Sequence, residues 1–175
     1  MLLGISGSLR KEATNRKLLR IAARLYGGPF TEADLRLPLY DGDLESESGI
    51  PPAVETLAAQ VAQAEAVILA TPEYNQSLSG VMKNALDWIS RTPGTPWLGK
   101  PVAIMSAAAG RAGGARATYA LRLAMAPFRP RFSSGPEVLL AASSGQFDPT
   151  GDLTNERALK TLGEAMETLR REARG

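Results

Sequence analysis

Ala66-Val67-Ile68-Leu69-Ala70 contains no polar residue, so as a strand it has no face to give to solvent. Coverage on both sides is the condition of a parallel sheet between helix layers. From Thr71 to Ser79 the run gives way to Pro72, Glu73, Tyr74, Asn75 and Gln76. Val81, Ala85, Trp88 and Ile89 then fall on one helical face, with Lys83, Asn84, Asp87 and Ser90 elsewhere. This succession of buried strand, polar loop and amphipathic helix recurs along the chain.

Met1 to Ile5 reads as a first strand, and Ser6-Gly7-Ser8-Leu9-Arg10 as its loop. Leu18, Ile21, Ala22 and Leu25 predict the core face of a first helix capped by Thr14 or Asn15, with Arg16, Lys17, Arg20 and Arg24 solvated outside. Gly27-Gly28-Pro29 ends it, Phe30 to Leu35 is a short second strand, and Leu37 to Asp43 an irregular connection. Val54, Leu57, Ala58 and Val61 mark a second helix before the strand at 66–70. Pro101 to Met105 is a fourth strand, Ser106 to Gly114 a glycine-rich loop, and Arg116 to Met125 a helix stopped by Pro127 and Pro130. Val138 to Ala141 is a fifth strand. A last helix from about Asn155 has Leu159, Leu162, Met166 and Leu169 inward.

Five strands alternating with five helices predict a doubly wound α/β fold, a five-stranded parallel sheet with helices on both faces, as one domain over residues 1–175. With the flavodoxin-like order 2-1-3-4-5, the loops after the first and third strands flank the switch point where such sheets bind ligands.

The chain has no Cys and no His, which excludes disulfides, thiol nucleophiles, imidazole bases and the usual zinc and haem sites. A net charge of +2 suits anionic small molecules better than nucleic acid, which draws a clustered basic face. The chain enters a strand without a charged leader, and no apolar run reaches membrane-spanning length. A cytoplasmic protein with neither nucleic-acid nor membrane partners is expected.

The three loops after buried strands carry the chemistry. Ser8, Arg10, Thr14 and Asn15 precede a helix, where free N–H groups and the positive dipole end favour a phosphate. Neither a Walker sequence nor Gly-x-Gly-x-x-Gly is present, which disfavours a nucleoside triphosphatase. An ordinary capped helix accounts for the same residues. In the second loop, Tyr74 suits a planar ligand, Pro72 stiffens the backbone, and Glu73 and Asn75 suit polar ring atoms. A surface turn with Ser79 as helix cap is the competing account. Three of the four asparagines, Asn15, Asn75 and Asn84, cluster in these two units, which favours a site. In the third loop, Gly110, Gly113 and Gly114 permit a flat ligand to approach the backbone, or a tight internal turn. Trp88 and Trp97 read as packing or interface residues.

Gly7-Ser8-Leu9-Arg10-Lys11, Asn15-Arg16, and Pro72-Glu73-Tyr74-Asn75 through Lys83-Asn84-Ala85-Leu86-Asp87-Trp88 resemble the NADPH-dependent FMN reductase family, which includes quinone, chromate and azo-dye reductases. Leu37-Pro38-Leu39-Tyr40 and Gly113-Gly114-Ala115-Arg116 are similar to further family segments. The resemblance implies that Ser8, Arg10 and Asn15 hold the FMN phosphate. It implies that Pro72, Glu73, Tyr74 and Asn75 border the isoalloxazine ring and that Ser106, Ala107 and Gly110 complete the ring site. Family members often have a serine at the position of Ala13 and a second small hydroxyl near Ala107 or Ala108; either loss could weaken flavin affinity, and neither removes the Arg10 and Asn15 contacts.

The function so implied is hydride transfer from NADPH or NADH to flavin N5, followed by reduction of a quinone, free flavin or similar small acceptor. The cofactor carries that chemistry, so no catalytic side chain and no metal is assigned. Arg16, Arg91 and Arg111 are candidates for the NADPH 2′-phosphate. The resemblance also implies a homodimer or homotetramer, with the helix after Ser79 as a candidate interface. The alternative is a flavodoxin-type FMN electron carrier without its own nicotinamide reaction. Such carriers are typically acidic and lack an arginine in the phosphate loop, unlike this chain.

Overall fold

A computed structural model describes residues 1–175. The strands are β1 (Leu2–Ser6), β2 (Phe30–Glu32), β3 (Ala66–Ala70), β4 (Pro101–Ala107), β5 (Arg131–Phe132) and β6 (Val138–Leu140). The α-helices are α1 (Thr14–Tyr26), α2 (Gly42–Ser48), α3 (Pro52–Gln63), α4 (Gly80–Ile89), α5 (Ala115–Met125) and α6 (Glu156–Arg174). All pairings are parallel, in the order β2-β1-β3-β4, and both β5 and β6 lie on the far edge of β4. This is the flavodoxin-like doubly wound order.

The expected fifth strand is split. β5 pairs Arg131 and Phe132 with Pro101 and Val102, and β6 pairs Val138 to Leu140 with Met105 to Ala107. Between them the chain leaves the ladder toward α6, where Ser134 donates from its N–H and Oγ to Glu172 at 2.9 and 2.7 Å. Pro136 follows and has no N–H to give a ladder.

Alternation along the strands explains the unbroken apolar run at 66–70. Ala66, Ile68 and Ala70, with Ala103, Met105 and Ala107, face α1 and α6. Val67 and Leu69, with Val102 and Ile104, face α3, α4 and α5. One side of the sheet is therefore lined mainly by small side chains, admitting α1 and α6 closely, and the other by branched ones. Fully burying each branched residue contributes about 1.5–3 kcal/mol.

Several side chains sit differently from the sequence expectation. Leu25 and Leu159 are exposed, at 39% and 38%, because Tyr26 and Ala158 take the inward positions. The basic face of α1 is ion-paired: Arg16 and Arg20 both bond Glu32 of β2, Lys17 pairs with Glu12, and Arg24 with Asp152. β2 spans only 30–32, and part of the 37–43 connection is organised. Pro38 O accepts from Asn84 Nδ2 at 2.9 Å and Trp88 Nε1 at 2.8 Å. Tyr40 N–H donates to Asn84 Oδ1 at 2.8 Å, and the Tyr40 ring meets Trp88 edge-on at 5.0 Å.

The following helix, α2, is tied to the end of α4 by Glu45 and Arg91, 3.0 Å apart. The hydrogen bond from Arg91 holds the Glu45 carboxyl below its ordinary value; burial opposes this and the Tyr40 hydroxyl assists. A carboxylate depressed by folding stabilises the fold above its unfolded pKa and stops doing so as pH falls through its folded value. Glu45→Gln is therefore expected to lower the urea midpoint at pH 7 and to converge with the wild type below about pH 4. A gap of constant size across that range would show that the carboxylate charge is immaterial.

Candidate active site

A cleft of about 320 Å³ opens where the strands end. Ser8 and Arg10 come from the loop after β1, Ala13 to Asn15 from the start of α1, and Pro72 to Tyr74 from the loop after β3. Ala107 to Ala109 follow β4, and Ser143 and Ser144 follow β6. Carboxyl ends of parallel strands are where open α/β sheets bind ligands. A larger groove of about 590 Å³, around Trp97 and Phe128, is built from segments leading into β4 and β5, away from those strand ends.

Ala13, rather than Thr14 or Asn15, occupies the cap position of α1, and its methyl group accepts no hydrogen bond. The N–H groups of Thr14 and Asn15 consequently have no partner. A Ser or Asp at the cap would close this end of the helix; alanine leaves its amides and dipole open to an anion. Arg10 stands exposed at the cleft without an ion-pair partner.

Asn15 lines the cleft but directs its amide inward. Its Nδ2 donates to Ala107 O at 2.8 Å, and its Oδ1 accepts from Ala107 N–H at 2.9 Å. With 2% exposure, it joins the first turn of α1 to the end of β4. The asparagine cluster in the sequence has structural jobs throughout. Asn84 binds the 38–40 segment, Asn155 caps α6, and Asn75 takes a left-handed turn conformation.

In the second loop, Tyr74 and Ser77 exchange backbone hydrogen bonds of 3.1 and 3.0 Å around Asn75 and Gln76. Both central residues have positive φ, 49° and 64°, as in the tight turns that join antiparallel strands. The turn presents Tyr74, 52% exposed, at the cleft, while Asn75 lies outside its lining. Pro72 is buried along one wall. Glu73 accepts from the Arg116 N–H at 3.2 Å, with the Arg116 guanidinium 3.5 Å away, so it caps α5 from a distant loop. Ser79 caps α4 by accepting from Met82 N–H.

The glycines of the third loop serve internal packing. A Cβ at Gly114 would stand 1.9 Å from Ser106 Oγ, and one at Gly113 would stand 2.7 Å from the Leu139 backbone. Both have positive φ. Ser106 is fully buried and donates to Thr71 O at 2.7 Å. Ser106 and Gly110 are absent from the cleft lining, whereas Ala107 belongs to it together with Ala108 and Ala109. Sequence reasoning missed Ser143 and Ser144. Their position just after a strand, at the carboxyl edge of the sheet, is the signal that points to them.

An uncapped helix start, an unpaired arginine and an exposed tyrosine meet in one cleft. It lies at the edge of the sheet where flavodoxin-like folds bind ligands. Residues 1–144 match the NADPH-dependent FMN reductase family. Over 170 residues the chain is 42% identical to an NAD(P)H-dependent FMN reductase of Pseudomonas aeruginosa, covering 95% of this chain and 91% of that protein. It is 39% identical over 161 residues to a quinone reductase of Escherichia coli K12, covering 89% and 86%. The structure of FerB, a flavoenzyme NAD(P)H:(acceptor) oxidoreductase from Paracoccus denitrificans, aligns with TM-score 0.88 at 30% identity over 99% of this chain and 96% of that one. The chain belongs to the NADPH-dependent FMN reductase family; it is a flavin oxidoreductase that uses FMN and a nicotinamide donor.

Because Asn15 satisfies both backbone polar groups of buried Ala107, Asn15→Ala is expected to lower the stability of the flavin-free protein by roughly 2–4 kcal/mol. Urea unfolding followed by tryptophan fluorescence measures this. An unchanged midpoint would mean that Asn15 matters only to a bound ligand.

Proposed function

We propose that the chain passes electrons from NADPH or NADH to a small-molecule acceptor, a quinone or free flavin, with FMN seated in the cleft after β1, β3, β4 and β6. The carrying observation is the bare N-terminus of α1, with two unpartnered amides beside unpaired Arg10. Ser8, Arg10 and the amides of Thr14 and Asn15 hold the phosphate. Pro72 and Tyr74 border the ring on one side, and Ala107 to Ala109 leave its other side free of bulk. Glu73 fixes the loop through Arg116, and Asn75 shapes the turn that presents Tyr74. Ser106 acts from behind the lining, tying the Ala107 segment to Thr71, and Gly110 lies exposed just beyond Ala109.

FMN held by these residues would supply the hydride acceptance and the onward electron transfer. The residues of this chain orient the stacked rings, and no side chain need supply a proton. The cleft carboxylate, Glu73, is already engaged by Arg116. Among the arginines considered for the NADPH 2′-phosphate, Arg16 is paired with Glu32 and Arg91 with Glu45. Arg111, exposed two residues beyond Ala109, is the remaining candidate.

All 175 residues form one such domain, working as a homodimer or homotetramer through the α4 region. Leu98 and Leu123, 49% and 77% exposed, offer apolar surface there. No helix is long and apolar enough to cross a membrane, and dependence on NAD(P)H favours the cytoplasm.

Purified protein is expected to quench FMN fluorescence at micromolar concentration, and Arg10→Ala to weaken binding about tenfold. NADPH oxidation with a quinone, compared with free FMN as acceptor, identifies the preferred electron sink. Reduction of bound flavin by NADPH alone separates this enzyme from an electron carrier. No quenching of FMN would refute the proposal.

A further inference from the structure

The segment after β6 closes the cleft from the far end of the chain. Ala142 adopts a left-handed conformation, φ 47° and ψ 42°, which is unfavourable for a residue with a Cβ. The bend brings Ser143 N–H to Ala108 O at 3.1 Å. It leaves the Ser143 side chain 4% exposed. There its Oγ faces Thr14 Oγ1, on the first residue of α1, at 3.4 Å.

That separation exceeds the about 2.5–3.0 Å of a good O–H···O bond. Neither hydroxyl has another hydrogen-bond partner. A buried hydroxyl ordinarily finds a full partner. The Thr14 hydroxyl proton is therefore uncommitted, and the Ser143 proton, held only by this long bond to Thr14 Oγ1, can turn to a stronger common acceptor. Both residues lie in the cleft lining, beside the unpartnered amides of Thr14 and Asn15. The positive end of a helix makes an anionic oxygen the natural acceptor there. Ala13, Ala107 and Ala108, which border the same space, bring no hydroxyl of their own.

We propose that Ser143, acting with Thr14, completes the seat of the FMN phosphate, an inference that rests on the FMN reading above. The anion is then held between two segments 129 residues apart in sequence. Of the two hydroxyls, one comes from the first turn of α1 and the other from the turn after β6. One consequence reaches beyond the cleft. The turn begun by Ser143 continues into the loop whose Asp152 pairs with Arg24 of α1. Phosphate binding therefore fastens the 143–152 segment to both ends of that helix.

The test titrates FMN, and riboflavin, which lacks the phosphate, into the wild type, Ser143→Ala and Thr14→Val, following flavin fluorescence. Thermal melts of the flavin-free proteins check folding. Each substitution is expected to weaken FMN about tenfold and to leave riboflavin within about twofold. Thr14 is half-buried on the opposite side, so Thr14→Val carries the test if Ser143→Ala does not fold. Wild-type affinity for FMN in the folded variants, or equal loss of FMN and riboflavin, overturns the inference while leaving the FMN reading intact. Failure of the wild type to bind FMN removes both.

Discussion

The paired hydrogen bonds between the Asn15 side chain and the backbone C=O and N–H of Ala107, 2.8 and 2.9 Å long, fix the start of α1 against the end of β4. Everything at the cleft depends on that placement. β1 and β4 are not neighbours in the sheet; β3 lies between them. Their loops meet only because α1 crosses above β3 and reaches β4 with its first turn. The amide is buried, so losing it leaves two backbone groups without water or protein partners. Held there, Ala13 at the cap turns the helix dipole and two free amides toward the cleft.

The sheet makes this crossing feasible by sorting its side chains by size. Ala66, Ala70, Ala103 and Ala107 form most of the surface under α1 and α6, and a helix can lie low over such a surface. Val67, Leu69, Val102 and Ile104 fill the opposite layer. Around the cleft the same economy of atoms recurs. Glu73 caps α5, Ser79 caps α4, and Gly113 and Gly114 let the loop after β4 press on Leu139 and Ser106. Most polar groups near the site thus build the walls. Among the groups left over, Arg10, the first amides of α1 and the hydroxyls of Thr14 and Ser143 share one cleft, the proposed phosphate seat.

Fold class was legible because the buried strands are short and unmixed, as Ala66 to Ala70 illustrates. The split of the edge strand was not, since it depends on Ser134 finding Glu172 across 38 residues. Of the predicted site residues, Ser8, Arg10, Asn15, Pro72, Glu73, Tyr74 and Ala107 line the cleft. Asn75, Ser106 and Gly110 are absent from that lining. A strand alternates sides, so of two neighbours at its end only one faces the cleft; at the end of β4 that is Ala107, and Ser106 faces away. Residue type also misled where one side chain serves two ends. Asn15 reads as a phosphate ligand from its loop, yet its partner is a peptide 92 residues away. The charged face of α1 looked solvated because its acidic partners, Glu32 and Asp152, belong to other elements.

An anion seated on the uncapped start of α1 would be seen by site-resolved amide exchange by NMR, with and without FMN. The Thr14 and Asn15 amides should exchange rapidly in the flavin-free protein and become strongly protected, with shifted resonances, when FMN binds. Binding that leaves these two amides unprotected, while protecting only the 72–74 or 107–109 segments, would contradict the account.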